Sequence, residues 1–95
     1  MVRTRLLLVD DCQAFLAELC QELKHEFDIV GTVTNGSDAI DAVSRFDPDI
    51  VILDIAMPMM NGIEVSSRLR ESHPRTKILF VTMNVLRSGN REHGS

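Results

Sequence analysis

The chain has 95 residues, the length of one small domain, with 44% hydrophobic and 25% charged residues, an ordinary composition for a folded chain. A net charge of −4 argues against nucleic acid as a direct partner. No stretch approaches the ~20 apolar residues of a membrane span, and the N-terminus lacks the apolar core of a signal peptide, so the sequence reads as a cytoplasmic protein.

Arg3 to Val9 reads as the first strand. Its run Leu6-Leu7-Leu8-Val9 is of the kind buried on both faces of a parallel sheet, and it ends in Asp10-Asp11. The spacing then predicts a helix from about Cys12 to His25. Phe15, Leu16, Leu19, Cys20 and Leu23 form one apolar stripe facing the core. Asp11 stands where a helix N-cap would, which gives it a structural role; Asp10 has no such explanation. Cys12 and Cys20 are eight residues apart on this helix. That is ~12 Å along its axis, beyond the ~7 Å a disulfide can bridge. Both read as reduced thiols, Cys20 in the core, and no CxxC or Cys/His metal spacing occurs.

Ile29 to Val33 is a weaker strand whose Gly31 suits a sheet edge. Asn35-Gly36 is a turn, Ser37 a candidate N-cap, and Asp38 to Arg45 a second helix with Ala39, Ile40 and Val43 inward. After Pro48, Asp49 opens a central strand whose apolar run Ile50 to Leu53 ends in Asp54. Asn61 with Glu64 resembles a capping box for a third helix, Gly62 to Glu71, with Ile63, Val65 and Leu69 as core positions. Pro74 breaks that helix, and Lys77 to Thr82 is the fourth strand. Alternating strands and helices with short connections imply right-handed crossovers and a doubly wound α/β sheet.

Three apolar strands thus end in oxygen ligands: Asp10-Asp11, Asp54 and Thr82. In a parallel α/β sheet, ligands bind outside the carboxyl ends of the strands. Taken alone, Asp54 could be a solvated turn residue. Three carboxylates at one sheet end would raise each other's pKa unless a cation intervened, and an all-oxygen acidic cluster suits Mg²⁺.

Leu-Val-Asp-Asp (8–11), Asp-Ile-Val-Ile-Leu-Asp (49–54), Met-Pro-Met-Met-Asn-Gly (57–62) and Phe-Val-Thr-Met (80–83) together resemble the receiver domain of two-component response regulators. The likeness is strongest to receivers of the LuxR/NarL type and covers roughly residues 4 to 84. It implies a flavodoxin-like, CheY-like fold with strand order 2-1-3-4 and a regulatory module rather than an enzyme. It further implies that Asp54 accepts a phosphoryl group from a sensor histidine kinase. Asp10 and Asp11 would hold Mg²⁺ with Asp54 and the backbone carbonyl of Ala56, and Thr82 would contact the phosphoryl group.

The resemblance fades after Met83. A complete receiver continues with a helix, a fifth strand and a last helix; residues 85–95 hold two large apolar side chains, so a receiver ending near residue 84 and a disordered polar tail are expected. The lysine that ends the family's fifth strand has no counterpart, since the only lysines are Lys24 and Lys77. Phosphorylation should therefore be impaired. A bare fourth-strand edge should favour a homodimer, built by strand edges, by faces of the first helix or by exchange of C-terminal segments. The alternative is a non-catalytic dimeric interaction module. A phosphohydrolase of the haloacid dehalogenase type would need an acid where Ala56 stands. A flavodoxin-type FMN site would not place Asp10-Asp11-Cys12-Gln13 after the first strand.

Overall fold

The computed structural model describes residues 2–54 and 62–81. Strands β1 (Arg5–Val9), β2 (Asp28–Val33), β3 (Ile50–Asp54) and β4 (Lys77–Val81) alternate with helices α1 (Gln13–Leu23), α2 (Gly36–Phe46) and α3 (Gly62–Ser72). All neighbouring strands are parallel and lie in the order β2-β1-β3-β4, the doubly wound arrangement expected.

Strand alternation divides the core between the two faces of the sheet. Leu7, Val9, Val51 and Leu53 point to one face and pack with Ala39, Ala42 and Val43 of α2 and with Val65 and Leu69 of α3. Leu6 and Leu8 point to the other and meet Leu16 of α1, with Leu19, Cys20, Leu23, Ile50 and Ile52 partly buried around them. Among the described residues the first cluster has nine buried residues and the second three. Each fully buried Leu or Val contributes roughly 1.5–3 kcal/mol, which places most of the packing energy on the α2–α3 side.

Gly31 lies on the outer strand β2, as its residue type suggested. The β1–β2 register pairs Leu6 with Ile29 and Leu7 with Gly31, which leaves Val30 as the extra residue of a bulge. A Cβ at position 31 would stand 3.3 Å from both Leu7 Cδ1 and the Phe46 ring, so the glycine admits a close approach of α2's last side chain.

Several expectations are corrected. Asn35, not Ser37, caps α2: its Oδ1 accepts the Asp38 N–H at 2.8 Å and its Nδ2 donates to Asp38 Oδ2 at 2.9 Å. The helix begins at Gly36, which moves the cap two residues upstream of Ser37. Its other end is closed by Asp47, whose φ of 49° and ψ of 59° are left-handed. The Asp47 N–H returns to the Val43 carbonyl, and Arg5 Nη1 donates to the Asp47 carbonyl at 2.9 Å. Ile63 is 69% exposed rather than in the core, because the stripe that α3 buries runs through Val65, Ser66 and Leu69. Cys20 is half-buried against the smaller cluster, and both cysteines are free thiols. Asn61, proposed to cap α3, and the tail from residue 85 lie outside the described residues.

Candidate functional site

β1 and β3 are parallel neighbours, with Val9 paired to Leu53. One residue further on, each strand delivers an aspartate, so Asp10 and Asp54 emerge side by side about one strand spacing, ~4.8 Å, apart. Asp10 is tied to β2 as well, its N–H donating to the Val33 carbonyl at 3.1 Å. Asp11 follows in the turn to α1. Ligand oxygens of Asp10, Asp11 and Asp54 all lie within 4.8 Å of one another. Asp10 and Asp54 are each 1% exposed, whereas Asp11 faces solvent. Two buried carboxylates on the rim of an apolar sheet are not a solvated turn.

The two oxygens of Asp10 divide their work. Oδ1 accepts the Cys12 N–H at 2.9 Å, a turn that leads the chain into α1. The other oxygen, Oδ2, is buried with no donor aimed at it among the described residues. This reverses the capping expectation. Asp11 does not cap α1; Cys12 is the N-cap residue and makes no side-chain cap bond, while Asp10 does engage the helix entrance. The i to i+2 geometry of an Asx turn, which an aspartate at position 10 allows, accounts for the difference.

Burial pushes the Asp10 carboxyl from 3.8 up to about 6. The Cys12 N–H opposes that rise, while the adjoining Asp11 carboxyl and the charges of Asp54 and Asp11 add to it. Desolvation and like charge together mean that the pocket, left without a cation, holds a proton more readily than an ordinary carboxylate.

Ala56 and Thr82 lie outside the described residues, so the described site consists of the three aspartates. Other grooves lie elsewhere. One of about 490 Å³ at the opposite end of the sheet is lined by Asp47, Asp49, Arg75 and Lys77 among others, with mixed charge and no clustered ligands. No described helix is long and apolar enough to cross a membrane.

The family model of the response regulator receiver domain matches residues 6–89. This chain belongs to the response regulator receiver family. The receiver is 38% identical over 79 residues to a chemotaxis protein CheY from Halobacterium salinarum, a match covering 82% of this chain and 65% of that protein. Among solved structures, a DNA-binding response regulator of the LuxR family from Staphylococcus aureus is 34% identical with a TM-score of 0.77. It covers 83% of this chain and 68% of its own. The CheX-CheY-BeF3-Mg²⁺ complex from Borrelia burgdorferi is 29% identical with a TM-score of 0.78, over 83% of this receiver and 61% of that chain. The receiver thus spans just under two thirds of the length of the CheY protein it matches.

Proposed function

We propose that this receiver is the phosphoacceptor of a two-component relay, taking a phosphoryl group from a sensor histidine kinase onto Asp54. The observation that carries this reading is the burial of Asp54 at a strand's carboxyl end, with the oxygens of two further aspartates within 4.8 Å. In the transfer an Asp54 oxygen attacks phosphorus as the bond to the kinase histidine nitrogen breaks. The imidazole leaves with that electron pair, and an acyl phosphate remains.

The donor set fits Mg²⁺. It is all oxygen, it carries three formal negative charges, and the buried Oδ2 of Asp10 meets no donor among the described residues. Asp11 and Asp54, Asp10 beside them and the Ala56 carbonyl would hold the ion. When bound, Mg²⁺ supplies the positive charge that lets phosphoryl oxygens approach three carboxylates. The Borrelia relative, whose complex includes BeF3 and Mg²⁺, supports the same assignment here. Asp10 positions the entrance to α1 through Cys12, Asp11 supplies the solvent-side carboxylate, and the Thr82 hydroxyl donates a hydrogen bond to the phosphoryl group.

Phosphoryl transfer depends on positioning and charge stabilisation. Among the described residues, Lys24 stands on the turn after α1 and Lys77 at the opposite end of β4 from Asp54, so neither of these two ammonium groups reaches the phosphoryl oxygens. The net charge of −4 supports protein partners over nucleic acid or an anionic membrane, and the reading as a kinase's phosphoacceptor implies a cytoplasmic setting.

A specific observation favours a second reading, a dimeric interaction module without phosphotransfer. β4 is the outer strand among the described residues, and its Leu79 and Phe80 are 54% and 41% exposed. An apolar strand edge is a template for pairing. Intact mass after incubation with acetyl phosphate and Mg²⁺ separates the two. A gain of one phosphoryl group that is absent in Asp54→Asn supports the phosphoacceptor; an unchanged mass in a folded dimer supports the module.

A further inference from the structure

Asn35 stands at the entrance to α2 with both ends of its carboxamide engaged. Its Oδ1 accepts the Asp38 N–H at 2.8 Å, and its Nδ2 donates to Asp38 Oδ2 at 2.9 Å. The two bonds fix the orientation of the amide, since only its nitrogen can face a carboxylate and only its oxygen can face an N–H. Asn35 is extended, with φ of −150° and ψ of 165°. The next residue, Gly36, opens the helix and is buried. Its N–H is one of the first-turn amides that find no carbonyl partner within a helix. A backbone nitrogen so placed can close a succinimide ring on the side-chain carbon of the preceding asparagine, and a glycine offers no side chain to hinder the approach.

We propose that Asn35 is a site of spontaneous covalent modification, converted through a succinimide to aspartate and isoaspartate, and that its cap bonds to Asp38 gate the conversion.

The step balances with water as the sole co-reactant. The Gly36 amide gives its proton to solvent base, and its nitrogen bonds to Asn35 Cγ. The bond from Cγ to Nδ2 breaks, and ammonia leaves with that electron pair and a proton from solvent. Water then opens the ring. Attack at Cγ leaves aspartate, and attack at the Asn35 backbone carbonyl leaves isoaspartate. One water enters, one ammonia departs, and nothing is oxidised or reduced.

The cap opposes ring closure in two ways. It holds the carboxamide toward the Asp38 amide, three residues on, instead of over the Gly36 nitrogen. It also fixes the extended backbone of Asn35, whose ψ must rotate before the ring can form. Both products weaken the same cap. Aspartate sets an oxygen where Nδ2 donated to Asp38, so that two carboxylates face each other. Isoaspartate adds a methylene to the main chain between Thr34 and Gly36 and displaces the capping oxygen. Since α2 carries Ala39, Ala42 and Val43 into the larger core cluster, the modified chain should unfold at lower urea than the parent.

The test reads position 35 by peptide mapping, with isoaspartate labelled by protein-L-isoaspartate methyltransferase. Asn61-Gly62 is the same dipeptide, and mapping keeps the two positions apart. The folded chain, and the same chain in urea, are aged at mildly alkaline pH. Slow conversion of Asn35 in the folded chain and faster conversion in urea is the expected result. Asp38→Ala removes the partner of Nδ2 but keeps the backbone donor. When folded it should convert roughly two- to tenfold faster than the parent, with its rate in urea unchanged. Leu69→Ala weakens the core and leaves the cap alone; opening of the cap is a local event, so its folded rate should match the parent's. Equal rates in the folded and unfolded parent would overturn the gate, as would an unaltered folded rate in Asp38→Ala. Acceleration in Leu69→Ala as large as in Asp38→Ala would make global unfolding the gate and also refute the proposal. No product at position 35 in folded Asp38→Ala on prolonged ageing, with Asn35 converted in urea, would remove the site itself.

Discussion

Asp10 and Cys12 are joined by a hydrogen bond of 2.9 Å, from the Cys12 amide to Oδ1 of a carboxylate that is 1% exposed. One oxygen of Asp10 therefore builds the entrance to α1 while the other faces the acidic site. Burial raises the Asp10 pKa from 3.8 to about 6. A folded-state pKa above the unfolded one means that the folded protein binds the proton more tightly. Without metal, the stabilising contribution is full below pH ~4 and is lost as pH rises through about 6, by at most about 3 kcal/mol. Thermal denaturation between pH 4 and 8 in a chelator should show this decline. Asp10→Asn keeps the acceptor for Cys12 and should flatten it; an unchanged profile in that variant would place the pH dependence elsewhere.

Mg²⁺ should reverse the same penalty. Calorimetric titration of the metal should give weak binding that is measurably weaker still in Asp11→Ala, with a larger gain in Tm at pH 7.5 than at pH 5. Ligands must be deprotonated to bind, which sets the direction of that difference. Identical isotherms for the two proteins would remove Asp11 from the ligand set.

The start of α2 depends on one side chain. Asn35→Ala removes the acceptor for the Asp38 amide and should cost about 1 kcal/mol in urea unfolding. Ser37→Ala, at an exposed position beyond the cap, should fall within about 0.5 kcal/mol of the parent. The reverse order of effects would move the cap to Ser37.

α3 offers a parallel contrast. Leu69 is fully buried between α2 and the sheet, so Leu69→Ala should cost roughly 2–5 kcal/mol. Ile63 is 69% exposed, and Ile63→Ser should change stability by less than about 0.5 kcal/mol. Equal losses at both positions would mean that Ile63 is covered in solution.

Much of this structure was legible in the residues. The apolar runs ending in Asp10 and Asp54 are strands that ladder chemistry must bring together once they are parallel neighbours, and the aspartates follow from the register. Gly31 announced an edge strand through its missing side chain. Local choices were harder to read. Asn35 and Ser37 are both good caps, and only the actual helix start decides between them. Asp10 and Asp11 are the same residue type one position apart; which of them engages α1 depends on the turn dihedrals. Ile63 fits an apolar stripe by spacing, but the burial of Ser66 shows that α3 is rotated so that a small polar residue faces inward. Hydrophobic pattern resolves such rotations poorly when a helix carries few large apolar residues.

The central claim is that Asp54 carries the phosphoryl group. An acyl phosphate is reduced by borohydride to homoserine at the modified residue, so trapping the acetyl phosphate-treated protein and sequencing its peptides reads the acceptor directly. Homoserine at position 54, dependent on Mg²⁺ and absent without acetyl phosphate, is the result expected. Homoserine at Asp10, Asp11 or Asp49 with position 54 intact would contradict it.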